Sequence, residues 1–300
     1  MVAHWQDQEE RAGSFWLAIL VWIARNLGRR VLLWALYPVT FFYLLVARSA
    51  VASSRKYLTQ VLDRPVTWRD SWKHFYYFAV VSVDRLYLLS GDTRALSVTL
   101  RGEELLTEYI EQQQGCMIMV SHHGSFEALR VSALAMQDLP LKIVMDHGHN
   151  SAVMQTIDAV NPEFAQSIID SGQLNGPALA LRLAEELAAG TVVGIMADRS
   201  QKHEAQVPIK LLDREASLPA GPWLLASALA VPVIICFGLY EGGNRYTIYV
   251  ERLDSRVRVP RAQRQQCLQE YAQRYADRME HYIKKAPFNW FNFYDFWHER

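Results

Sequence analysis

The chain has 300 residues, enough for one large α/β domain or two small ones. Lys plus Arg total 31 and Asp plus Glu total 31, so the formal net charge is zero and the basic excess of a typical nucleic-acid binder is missing. Three cysteines, Cys116, Cys236 and Cys267, are too scattered for a disulfide framework or a CxxC zinc site, and Cys116 and Cys236 sit in apolar runs as core residues would.

Residues 1–11 are polar. No basic start precedes the apolar run that follows and no small-residue cleavage site closes it, which is unlike a cleavable signal peptide. Two apolar blocks come next, "SFWLAILVWIA" (14–24) and "VLLWALYPVTFFYLLVA" (31–47), separated by "RNLGRR" and followed by Arg48, Arg55 and Lys56. As a helix the second block would span roughly 26 Å, the low end for a bilayer crossing. Pro38 inside it would kink the helix. Basic residues flank it on both sides, so charge bias selects no orientation. Three arrangements stay open: a single crossing, a kinked or in-plane hairpin in one leaflet, and a buried core helix. Trp16, Trp22, Trp34, Tyr37 and Tyr43 favour the first two, because amphipathic rings collect at lipid–water interfaces.

Helices are predicted through 54–90, where Trp68, Trp72, Phe75 and Tyr76 recur at helical spacing and make a core-facing stripe. From residue 96 strands and helices alternate. Strands are predicted at "LSVTLRG", "CMIMVS", "PLKIVMD", "FAQSIID", "TVVGIMAD", "PVIICFGLYEG" and "RYTIYVERL". Helices are predicted at "EELLTEYIEQQ", "FEALRVSALAM", 151–160, "PALALRLAEELAAG", "GPWLLASALA" and the long amphipathic 261–286. Apolar strands alternating with helices predict a mostly parallel mixed sheet covered on both faces. Residues 1–50 read as an anchor and 51–300 as the catalytic domain.

In such sheets active residues gather at the C-terminal ends of strands. Three strand ends are polar here: "SHHGSFE" (121–127), "MDHGHN" (145–150) and "ADRSQKHE" (197–204). His122 and Glu127 stand in H-x4-E spacing. With a turn at His122 and a helix starting near Ser125, Glu127 could fold back to the imidazole. It would then set the tautomer and free the other ring nitrogen to accept a proton from a substrate hydroxyl or amine. Two other readings of the same residues stand beside it. Ser125 and Glu127 could be ordinary helix-start chemistry. A metal site could form from His122, His123, His147, His149 and Asp198.

"HHGSFE", "ADR" about 70 residues on, and then "LLDREASLPAGPWLLA" resemble the lysophospholipid acyltransferase superfamily. Within it the chain is most similar to the bacterial lipid A biosynthesis (lauroyl/myristoyl) acyltransferase branch. "RAGSFW", "LGRR" and the closing "PFNWFNFYDFW" extend the resemblance over nearly the whole chain. It implies a glycerol-3-phosphate-acyltransferase-like α/β fold behind N-terminal membrane-anchoring helices, on the cytoplasmic side of a bacterial inner membrane. It implies transfer of a fatty acyl group from acyl carrier protein or acyl-coenzyme A to a membrane lipid acceptor, with no cofactor, metal or nucleic acid. Carried over by position, His122 is the general base and Glu127 its orienting partner. His147, His149, Asn150, Asp198 and Arg199 lie near the acceptor. Pro219 and Gly221, in the "SLPAGP" turn at a helix start, lie beside the thioester, where backbone donors could hold a phosphate or an oxyanion. Two departures bear on the acceptor: the third block lacks the "PEGTR" form of the glycerolipid enzymes, and "MDHGHN" carries no arginine for a phosphorylated glucosamine lipid.

The aromatic end, Trp290, Phe291, Phe293, Tyr294, Phe296 and Trp297, is open between an acyl slot, a bilayer contact and core closure. Two other functions fit the sequence: a metal-dependent hydrolase built on the strand-end His/Asp residues, and a non-catalytic lipid-binding protein.

Overall fold

The structure, a computed structural model, describes residues 28–90, 93–129, 139–145, 161, 166–174, 176–200 and 204–297. The apolar block 14–24, the run 146–150 and the helix expected at 151–160 lie outside them.

Three helices come first: α1 (Gly28–Val46), α2 (Arg48–Val61) and α3 (Trp68–Ser90). The α/β part follows as β1 (Ser97–Arg101), α4 (Glu103–Glu111), β2 (Cys116–Gly124), β3 (Leu141–Met145), β4 (Ile168–Asp170), α5 (Gly176–Ala188) and β5 (Val192–Met196). It continues with β6 (Gln206–Leu211), β7 (Arg214–Pro219), α6 (Gly221–Leu229), β8 (Val233–Gly242), β9 (Arg245–Asp254) and α7 (Arg264–Lys285).

Seven strands form one sheet in the order β1-β9-β8-β2-β5-β3-β4, and only the β8–β9 pair is antiparallel. The mostly parallel mixed sheet expected from the alternation is therefore present. β2 lies at its centre and is apolar on both faces, as a covered strand must be. Met117 and Met119 face the layer of α5, α6 and α7, while Cys116, Ile118 and Val120 face α3 and α4. Burial pushes the thiols of Cys116 and Cys236 up to about 12, so both stay protonated.

The hairpin β6–β7 was not expected from the sequence. Val207, Ile209 and Leu211 alternate into the core, and Leu212 and Asp213 turn the chain with φ of 53° and 60°. Both turn residues lie in the left-handed region that two-residue hairpin loops require, but "LD" lacks the Asn-Gly signature that marks such a turn.

Helix α1 is long and apolar enough to cross a membrane. Leu32, Leu36 and Thr40, four residues apart, form its buried stripe against α3. Arg29 forks onto Asp84 of α3 at 2.6 and 2.7 Å, and Asp84 also accepts from the Tyr246 hydroxyl at 2.7 Å. The rest of the helix leaves Trp34 (75% exposed), Phe41, Phe42, Tyr43, Leu45 and Val46 uncovered. A core helix would bury these rings, so of the three arrangements the buried one does not describe α1.

The aromatic end closes the core. Trp290, Phe291, Phe296 and Trp297 are buried, and the segment braces several elements at once. Tyr57 of α2 donates to Pro287 O at 2.7 Å, and the Asn289 side chain pairs with both Tyr240 N and Tyr240 O. Gly124 N and Phe291 N complete the join to β2, on Asn289 O and His122 O.

Candidate active site

Strand register builds the site. β2 and β5 are parallel neighbours with Val120 opposite Met196. Two residues further along each chain stand His122 and Asp198, which are 76 positions apart in sequence. Between Val120 and Gly124, β2 also slips its register against β8, a bulge of the kind that re-aims side chains. Within β2 every residue is buried except His122, whose side chain is 31% exposed. His122 thus lies on the strand itself, not on the turn expected after Ser121.

Asp198 grips the histidine twice. His122 Nδ1 lies 2.8 Å from Asp198 Oδ1, and the backbone N–H of His122 donates to Oδ2 at 3.0 Å. The Trp290 indole N–H reaches Oδ2 at 3.4 Å. Burial alone would raise the Asp198 carboxyl, but the His122 contacts and the Arg199 charge overcome it and hold the group well below the usual carboxylate range. An ionised Asp198 takes the proton on Nδ1 as its donor. Nε2 then carries the lone pair, on a side chain that is partly exposed. Burial of the packed side of the ring, followed by the charge of Arg199, lowers the His122 pKa from its ordinary value, while Asp198 opposes the shift and Arg85 adds to it.

Glu127 does something else. The expectation that it folds back to the imidazole is corrected by the geometry. Its Oε2 accepts from the Ser125 hydroxyl at 2.7 Å, and its Oε1 lies 2.5 Å from Nε of Arg85 on α3. The physical reason is the register above: Asp198 reaches Nδ1 first and fills it. Arg85 went unnoticed in the sequence because it lies in a helix read as core packing. Its neighbour Asp84 pairs with Arg29 on another side of the same helix.

The remaining candidates separate. Arg199 donates to Phe291 O at 2.8 Å and lies over the Tyr294 ring, next to the histidine. Pro219 ends β7, paired with Gln206 of β6. A Cβ built on Gly221 would come 2.7 Å from Glu204 Oε1, so a carboxylate already lies against the N-terminus of α6. His147, His149 and Asn150 fall outside the described residues. His123 turns to the opposite face of the sheet. Its Nδ1 meets the Ser121 hydroxyl at 2.8 Å, and its buried ring stacks on Trp290. Among the described residues no three His, Cys, Asp or Glu side chains converge as metal ligands would.

A partly exposed histidine with a buried carboxylate on Nδ1 can take a proton from a substrate and return it. Residues 68–299 match the family described as bacterial lipid A biosynthesis acyltransferase. The chain belongs to that family. It is therefore an acyltransferase, and as a lipid A biosynthesis acyltransferase family member it acts on lipid. No curated protein sequence matches it. The family's matched span begins at Trp68, so it takes in α3 with Arg85, the histidine strand, Asp198 and the aromatic end.

Proposed function

We propose that the protein is a membrane-associated acyltransferase that moves a fatty acyl group from an acyl thioester, on acyl carrier protein or coenzyme A, to a hydroxyl or amine of a lipid-linked acceptor. The observation that carries this reading is His122: the one partly exposed residue of a buried central strand, with Nδ1 tied to a buried carboxylate. His122 is the general base. Its Nε2 takes the acceptor proton as the acceptor oxygen or nitrogen bonds to the thioester carbon. The same proton then goes to the sulfur as the C–S bond breaks. Asp198 holds the ring in the tautomer this needs, a positioning role in place of the acceptor contact read from its sequence block. Arg199, and His147, His149 and Asn150 beyond the described residues, remain candidates for the acceptor side, and Pro219 and Gly221 for the donor side.

Residues 1–50 act as the anchor and 51–300 as the catalytic domain, at the cytoplasmic face of a bacterial inner membrane. The exposed rings of α1 support this, since a lipid acceptor stays in the bilayer and the enzyme must come to it.

The test is transfer of a labelled acyl chain by purified protein, with product lipids identified by mass spectrometry. His122→Ala is expected to lower transfer by about 10²–10⁴-fold in a folded protein. Near-normal transfer by that variant would sink the assignment.

A further inference from the structure

The ion pair between Arg85 and Glu127 has no place in a simple base-and-partner scheme. Glu127 is buried, Arg85 is one-third exposed, and the two come from different layers, a helix and the segment after β2. The approach at Nε is 2.5 Å, yet this N–H makes no directed hydrogen bond. The contact is thus a charge pair that leaves the planar end of the guanidinium unspent. Among the described residues nothing else engages Arg85. Through Glu127, Arg85 is brought against the segment that leaves the histidine strand, five residues from His122, and its charge there disfavours protonation of the ring.

A general base needs an opposite number in acyl transfer. As the acceptor attacks, the carbonyl π pair moves onto oxygen, and donors already in place must receive that charge. The N-terminus of α6, where the sequence pointed for this purpose, already faces the Glu204 carboxylate. "MDHGHN" brings no arginine.

We infer that Arg85 is the group that receives the thioester oxyanion, and that Glu127 acts through Arg85, as a positioning residue for the guanidinium and not for the imidazole. The inference rests on the acyl-transfer reading above. In balanced form, the acceptor proton goes to His122 Nε2, the acceptor–carbon bond forms, and the carbonyl oxygen takes the electron pair beside Arg85. The oxyanion then collapses, the C–S bond breaks, and the proton on Nε2 passes to the leaving sulfur. The histidine and the arginine end as they began.

The discriminating experiment is a double-mutant cycle on the full chain in detergent, with a bacterial inner-membrane lipid extract as acceptor and dodecanoyl-coenzyme A or a dodecanoyl carrier protein as donor. Arg85→Met is expected to lower kcat by about 10²–10³-fold with KM for either donor within about threefold, the signature of a group used in the transition state. Arg85→Lys restores part of the loss. Glu127→Gln alone costs less, about tenfold, because the guanidinium is still present. In the Arg85→Met background, Glu127→Gln costs nothing further, because its route of action is already gone.

Arg85→Met leaves Glu127 with only the Ser125 hydroxyl, so thermal unfolding of each variant is followed. The double variant carries no buried charge at either position and serves as the folded reference. Losses that multiply in the cycle would show that Glu127 acts on its own and would overturn the inference. So would Arg85→Met within threefold of wild type in kcat, or a loss confined to KM. Wild-type protein that forms no acylated product from either donor would instead bring down the acyl-transfer reading, and this inference with it.

Discussion

In the proposed role of base, His122 can act only while its ring is neutral, and its surroundings decide over what pH range that holds. Burial, Arg199 and Arg85 all disfavour the protonated ring, and only Asp198 favours it. The folded pKa therefore lies below the ordinary value of about 6.5. On that proposal the neutral form is the active one, so kcat/KM should stay flat as pH falls through 6.5 and drop only below the depressed value. A profile that already halves at or above pH 6.5 would contradict the charge arrangement. Arg85→Met should move the acid limb upward, since it removes a nearby positive charge. Asp198→Asn should cost about 10²–10⁴-fold in kcat at every pH, because a carboxamide does not enforce the proton on Nδ1. At this scale the sequence was half legible. His122 stood out by its place at the end of an apolar strand. Its partner did not, because H-x4-E names the nearest carboxylate in sequence, and strand register places Asp198 nearer in space.

At the scale of elements, the β2–β8 join is the tightest passage in the site. Gly124 has φ +54°, and a Cβ on it would meet Gly238 O at 2.0 Å; a Cβ on Gly238 would meet Ser125 O at 2.1 Å. Both obstacles are backbone atoms, one in β8 and one just past the end of β2, held together by the Ser125 N–H to Gly238 O bond at 3.0 Å. Gly238→Ala should therefore destabilise the protein by on the order of 3 kcal/mol or more, read as a fall in the urea midpoint. It should also disturb the aim of His122, since the register slip that holds His122 runs from Val120 to Gly124 and ends at the Gly124–Gly238 pair. The brace of aromatic residues makes a second case. Trp290 packs edge-on to Tyr57, Phe296 and Trp297 and stacks on His123. Trp290→Ala should cost about 3–5 kcal/mol. Composition alone left that segment open between lipid, acyl chain and core, because the same rings suit all three. What decides for the core is the set of backbone bonds to β2, which no residue type announces.

For the molecule as a whole, acid and lipid are the two conditions that matter. His74 is buried between the Ser54 hydroxyl and Trp290 O, and burial lowers its pKa to about 4; His123, also buried, falls to about 3. Each binds its proton more tightly unfolded than folded. Their contribution is thus complete above about pH 6.5 and is lost progressively as pH falls toward 4. Stability to urea should decline over that range, and His74→Gln should flatten the decline; an unchanged slope would count against the buried neutral ring. The exposed side of α1 makes the second prediction. Replacing Trp34, Phe42 and Leu45 by serine should weaken binding to phospholipid vesicles at least tenfold, each large side chain contributing about 1.5 kcal/mol or more when immersed. The domain core should keep its melting temperature, because these side chains touch little of it. The alternation of apolar strands and helices was enough to foresee the mixed sheet. Strand order was not, because it depends on which edges meet after folding.

The register of β2 on β5 has one more consequence, for motion. Loops open and close cheaply, but here His122 lies on the central strand β2 and Asp198 two residues past the end of its neighbour β5, and the amide of His122 is itself spent on Asp198. Freeing that amide means drawing the buried Asp198 carboxylate away from the end of β2, against its bonds to the His122 ring and the Trp290 indole, an opening costlier than that of a surface loop. In deuterium oxide the His122 amide should be among the last to exchange, later than those of α1. The catalytic pair would then be a fixed post, and any movement that admits an acyl chain or a lipid head must come from the elements around it.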